Sequence, residues 1–96
     1  MQFTASGLDD ISALSSLTNL TELQIHANNI NDLTPLSNLV NLALLDLKQN
    51  NISDVSPLSN LTNLTYLGLF GNPLSQEKID DLQNALPNCS IAYDYY

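Results

Sequence analysis

The amino-acid sequence predicts a single α/β solenoid domain, in which one coil of chain is repeated with a parallel sheet along one side. Three observations carry this. First, the series Leu20, Leu23, Ile25, Asn28, Ile30, Asp32, Leu33, Pro35, Leu36, Leu39, Asn41 recurs 22 residues later as Leu42, Leu45, Leu47, Asn50, Ile52, Asp54, Val55, Pro57, Leu58, Leu61, Asn63. It begins a third time at Leu64, Leu67, Leu69, Asn72 and Leu74. Self-similarity at one fixed period is the mark of stacked repeats. Second, apolar spacing changes inside each unit, from every second residue to every third. Third, an asparagine stands at each change of spacing.

Each element of the coil follows from its residues. Leu23 and Ile25 alternate with Gln24 and His26, the period of a short strand with one buried face. The chain must then turn. An asparagine amide both donates and accepts, so Asn28, Asn50 and Asn72 are expected to stack as a hydrogen-bonded ladder over backbone groups that the turn leaves unpaired. Ile30, Leu33, Leu36 and Leu39 recur too tightly for a long α-helix and suit a 3₁₀ turn on the opposite side. Asp32 and Asp54, three residues before Pro35 and Pro57, are expected to cap those turns, with proline just inside.

Taken along the chain, residues 1–19 form an incomplete first coil. Counting back 22 places Met1 and Phe3 at the sites of Leu23 and Ile25, and Leu8 at that of Ile30, with Ser6 in place of the ladder asparagine and Ala13 in place of proline. Residues 20–41 and 42–63 are regular. The last repeat, 64–85, exchanges its short return for a longer amphipathic helix, with Ser75 as N-cap and Ile79, Leu82 and Leu86 on one face. Pro87 stops it. Counting forward 22 from Leu67 and Leu69 puts Cys89 and Ile91 on a fifth strand, so that residues 86–96 form a terminal strand and tail.

The pattern LxxLxLxxNxIxDLxPLxNLxN, spelled by residues 20–41 and 42–63, resembles the 22-residue, internalin-like class of leucine-rich repeats. The resemblance covers nearly the whole chain. It implies a right-handed solenoid with about five short strands on its concave face, no chemistry of its own, and a role in binding a protein or peptide through that face.

Composition narrows the partners. Ten acidic residues against two basic ones give a formal charge of −8, which disfavours nucleic acid and anionic membranes, since both demand clustered cations. No apolar run approaches the roughly 18 residues of a membrane span, so no membrane insertion is expected. Residues 1–4 lack the features of a signal peptide. Localisation is thus cytoplasmic by default, and surface or secreted if a leader has been removed.

Catalysis is not expected. Cys89 is the sole cysteine and His26 the sole histidine, and they fall three strand steps apart, on the order of 14 Å. A metal held by His26, Glu22 and Asp46 lacks the usual ligand set, and no cofactor is expected. Five Asn-X-Ser/Thr sequons, at Asn19, Asn51, Asn60, Asn63 and Asn88, arise from the repeat itself. Tyr93, Tyr95 and Tyr96 suit a shield over the last core layer.

The informative positions are those the core does not dictate, the outward side chains of the strands. One column reads Glu22, Leu44, Tyr66, Asn88, the next Gln24, Asp46, Gly68, Ser90, and the third Thr4, His26, Lys48, Phe70, Ala92. Tyr66, Phe70 and Leu44 are apolar where a solvated face would be polar, and Gly68 leaves a floor between the aromatics. An apolar centre with His26, Lys48, Asp46, Gln24 and Glu22 as its polar rim is the pattern of a partner-binding site. The rival reading is a structural or self-assembling unit, or an engineered or truncated fragment, associating through an uncapped N-terminal edge at residues 1–17.

Overall fold

The alternation of leucine with polar residues is realised as five short parallel strands. In the computed structural model, which describes residues 2–5 by backbone and residues 11–25 and 29–94 in full, these are β1 (Gln2–Ala5), β2 (Glu22–Ile25), β3 (Leu44–Asp46), β4 (Tyr66–Gly68) and β5 (Ser90–Ala92). They lie in the order of the sequence, β1-β2-β3-β4-β5. Each coil therefore adds one strand beside the last, and the sheet of the solenoid grows along its axis. Between strands the chain returns through 3₁₀ turns at Ser12–Ser16, Thr34–Leu36 and Ser56–Leu58, the last two with proline in the first turn.

Each of the three later coils contributes one layer of core. Leu23, Ile25, Ile30, Leu33, Leu36 and Leu39 are buried together, and Leu45, Leu47, Ile52, Val55, Leu58 and Leu61 repeat the layer one coil on. Leu67, Leu69, Leu74, Ile79, Leu82 and Leu86 close it. Burial of each such side chain contributes about 1.5–3 kcal/mol, which the fixing of the backbone largely offsets.

The corner is held by asparagine. Asn50 and Asn72 are the two polar side chains buried among the described residues. The Asn50 amide donates to the carbonyls of Leu47 and Ile25 at 2.8 and 2.9 Å, and its Oδ1 accepts from the Ile30 amide at 3.2 Å. Asn72 repeats this set one coil later, donating to Leu69 and Leu47 and accepting from Ile52. Each asparagine thus ties its own coil to the previous one. Asn28, the first rung expected from the sequence, lies outside the described residues, as do Ser6, Leu8 and the side chain of Phe3.

The aspartates act differently from helix caps. The residues at the N-cap positions are Leu33 and Val55, with no side-chain cap bond, and each aspartate stands one residue earlier. Asp32 Oδ1 accepts from the amide and hydroxyl of Thr34, and Asp54 Oδ1 from the amide of Ser56. This is an Asx turn, in which a short carboxylate reaches the backbone two residues on. Hydrogen bonds from Thr34 hold the Asp32 carboxyl below the usual aspartate value, and those from Ser56, helped by the charge of Lys78, do the same for Asp54.

Both ends depart from the 22-residue register. Leu23 pairs with Leu45 and Leu45 with Leu67 as the repeat requires, but Leu67 pairs with Ile91, two residues later than expected. The cause is helix α1 (Gln76–Ala85), capped by the Ser75 hydroxyl, which accepts from the Lys78 amide at 3.3 Å. An α-helix rises only 1.5 Å per residue against about 2.0 Å in a 3₁₀ turn, so a helical return consumes more chain to cross the same width. At the other end Phe3 pairs with Leu23 and Ala5 with Ile25, two residues later in the first coil than expected. Ile11 and Leu14 still stand 22 residues before Leu33 and Leu36, so the first coil is two residues shorter between its strand and its return.

Candidate functional site

On a short strand whose leucines point inward, the intervening side chains have one face left to occupy. The registers put Glu22, Leu44, Tyr66 and Ser90 in one row across the sheet, and Gln24, Asp46, Gly68 and Ala92 in the next. Four expected members change place. Asn88 is exposed ahead of β5 instead of beside Tyr66, and Ser90 and Ala92 each move one row. Thr4 pairs with Gln24 instead of flanking His26. His26 itself lies outside the described residues, as do Tyr95 and Tyr96. Lys48 and Phe70 extend the surface past the strand ends, where the Gln49 amide still donates to the Phe70 carbonyl at 2.7 Å.

The apolar centre is exposed. Tyr66 is 37% and Phe70 47% accessible, and with Val40 they are the large hydrophobic side chains left open among the described residues. Leu44, Glu22, Gln24 and Asp46 around them are half-buried. The floor expected at Gly68 is covered. A β-carbon there would lie 2.8 Å from Asp46 Oδ1 and 3.1 Å from Tyr66 Oη, so the missing side chain is what lets the carboxylate, from the neighbouring strand, and the phenol, from the same strand, lean over it. Asp46 Oδ1 also accepts from the Lys48 amide at 3.2 Å, and its Oδ2 stands 3.6 Å from Lys48 Nζ.

The ends of this surface are tied down. Asp94 Oδ1 accepts from the Gly71 amide at 2.9 Å, and Gln83 Nε2 donates to the carbonyls of Leu86 and Cys89, fixing the entry to β5. Lys78 donates from α1 to the Ser53 carbonyl. A second asparagine row braces another corner, Asn41 donating to the Thr18 carbonyl and Asn63 to that of Val40. It was readable in principle, since asparagine ends both regular units, but an exposed corner gives no reason to single it out.

The chemistry on offer is slight. Cys89 is buried, and desolvation pushes its thiol up, away from the thiolate a nucleophile needs. Among the described residues no three His, Cys, Asp or Glu side chains converge as a metal site, and no helix is long and apolar enough to cross a membrane.

Parallel strands in sequence order, an asparagine corner and a row of variable outward side chains define a repeat scaffold that presents a surface. The chain belongs to the leucine-rich repeat family, whose model matches residues 18–74, and it is of the internalin-like kind. It is similar to the structure of an internalin, InlF, of Listeria monocytogenes, with a TM-score of 0.86 and 31% identity over 97% of this chain and 28% of that one. Internalin C2 of the same species gives 0.84 and 39% identity, over 92% of this chain and 38% of the other. A leucine-rich repeat protein of Leptospira interrogans gives 0.77 at 27% identity, over 86% and 22%. The chain therefore spans well under half the length of each. No curated protein gives a significant match.

Proposed function

We propose that this chain is a non-enzymatic protein-binding module that takes a protein or peptide partner on the concave face of its sheet, centred on Tyr66 and Phe70. The observation that carries this reading is the exposure of two aromatic side chains, Tyr66 on β4 and Phe70 just past its end, at positions the repeat leaves free. Rigid aromatics bury much area for little lost rotamer freedom, and interface energy concentrates on a few such residues. Leu44 extends the apolar centre. Glu22, Gln24, Asp46 and Lys48 form its polar margin, where charge acts on association rate and salt dependence.

The test is partner capture by the wild-type chain and by a Tyr66→Ala/Phe70→Ala variant side by side, with circular dichroism to confirm that both are folded. Loss of capture by a folded variant supports the reading. Undiminished affinity, or a footprint on the 3₁₀ returns, refutes it.

A further inference from the structure

We infer that the Asp46 carboxylate, set between Tyr66 and Phe70, receives an arginine side chain of the partner, and that the Lys48 ammonium occupies its place in the free protein. This rests on the concave-face reading and names the chemistry that face selects. Asp46 pairs with Gly68, and Tyr66 and Phe70 stand two residues to either side of Gly68 on the same face. The carboxylate is therefore diagonal to both rings, at about 7–8 Å between backbones, within reach of a long side chain laid across them. With no side chain on Gly68, the strand between the two aromatic positions is covered by the Asp46 carboxylate and the Tyr66 phenol.

The resident cation is loosely held. Lys48 Nζ is 3.6 Å from Oδ2, longer than a charged hydrogen bond, and the lysine side chain is 46% exposed against 15% for the aspartate. An ion pair that open contributes little, so its displacement costs little. A guanidinium does more at such a site than an ammonium, since it engages both carboxylate oxygens at once and stacks its plane on an aromatic face.

The charge of the whole chain selects for the same occupant. A formal charge of −8 draws cations to the surface, and both of the protein's lysines are already engaged, Lys48 by Asp46 and Lys78 by the Ser53 carbonyl. A second copy does not fit, because it carries the same charge and contains no arginine. The occupant is a different protein, presenting arginine next to an apolar residue that meets Leu44 and Tyr66.

The test is a titration of the full isotopically labelled chain with N-acetyl-arginine amide, followed by backbone amide shifts, with the lysine and citrulline analogues in parallel. The inference expects saturable shifts at Asp46, Lys48 and Gly68 with the arginine probe, weaker ones with lysine and none with neutral citrulline. Asp46→Asn, which keeps the acceptor for the Lys48 amide and so the fold, abolishes them, and Lys48→Ala tightens binding about two- to fivefold by removing the competitor. No saturable response, an equal response to arginine and lysine, or an Asp46→Asn variant that titrates like the wild type overturns it. In partner capture the two ideas separate. If Asp46→Asn binds as the wild type does while Tyr66→Ala/Phe70→Ala does not, the arginine site falls and the concave face stands. If capture survives the aromatic pair, the concave-face reading falls, and the inference falls with it.

Discussion

The backbone amide of Asn50 donates to the side-chain oxygen of Asn72, one coil on, at 3.2 Å. The same oxygen accepts from Ile52, so a single amide group in the second coil of the pair orders both ends of the corner in the first. Asn72 also reaches back to the Leu47 carbonyl, which Asn50 shares. The ladder is a set of interlocked claims on the same backbone groups.

Asn72→Ala leaves the Asn50 and Ile52 amides and the Leu69 carbonyl without their side-chain partner in a corner closed to solvent. It is expected to cost about 1–3 kcal/mol, and Asn50→Ala a similar amount. Because the two asparagines share the Leu47 carbonyl, either one alone still satisfies it, and the double variant should cost more than the sum. Urea unfolding of the three variants checks this, and a midpoint unmoved by Asn72→Ala refutes the ladder.

Just ahead of the two described rungs, Asn50 and Asn72, the chain turns left-handed, at Gln49 with φ of 61° and Gly71 with φ of 79°. Only one of these repeat equivalents is glycine. Gln49→Gly should stabilise the fold by about 0.5–1 kcal/mol, the steric relief exceeding the added freedom of the unfolded chain. Gly71→Ala should destabilise it by about 1–2 kcal/mol or more, since its β-carbon would also lie 3.2 Å from the Gln49 backbone. Opposite shifts in thermal midpoint check the pair.

The Asx turns predict an acid limb. Asp32 and Asp54 are held below the ordinary aspartate value in the folded chain, so their contribution is complete above the unfolded value, about pH 4, and is lost as pH falls through the folded one. Protonation also relieves the self-repulsion of a chain at −8, which works the other way. The comparison that isolates the turns is Asp32→Asn/Asp54→Asn, whose side chains still accept but no longer titrate. Its urea midpoint should fall less between pH 7 and pH 3 than that of the wild type.

Gly68→Ala tests the surface without touching the core. The new β-carbon would meet only the ends of the Asp46 and Tyr66 side chains, which can swing aside, so the expected cost in stability is below about 1 kcal/mol. Partner binding should fall nonetheless, because the groups that swing aside are the ones proposed to bind. Chemical denaturation and a binding isotherm on the same variant distinguish the two effects.

The central coils were legible because their leucines are separated by a spacing that only one stacking satisfies, and a slip of one residue would turn Leu45 toward water. The terminal registers were not. A count of 22 extrapolated past Leu69 assumes the same kind of return, and α1, although itself evident from Ile79, Leu82 and Leu86, changes how much chain that return uses. For the binding surface, Tyr66 and Phe70 stood out because the repeat asks for neither. The roof over Gly68 did not, since it depends on the directions of Asp46 and Tyr66, which no spacing records. Likewise, the aspartates were evident as turn-formers from their place before proline, but one residue's difference between a cap and an Asx turn lies below what a motif resolves.

A corner in which Asn50 and Asn72 each borrow a carbonyl from the coil before has a consequence for how such a chain can lengthen. Adding one residue at the corner, between Leu69 and Asn72, would draw that side chain off Leu69, Leu47 and Ile52 at once, whereas duplicating a full unit would hand each rung the same neighbours it had. Along the axis, length is added in whole coils. Tandem duplication of residues 42–63 should therefore fold as one longer array, carrying a second copy of Leu44, Asp46 and Lys48 in line with the first, and the binding face would be extended by recombination without redesign of a single contact.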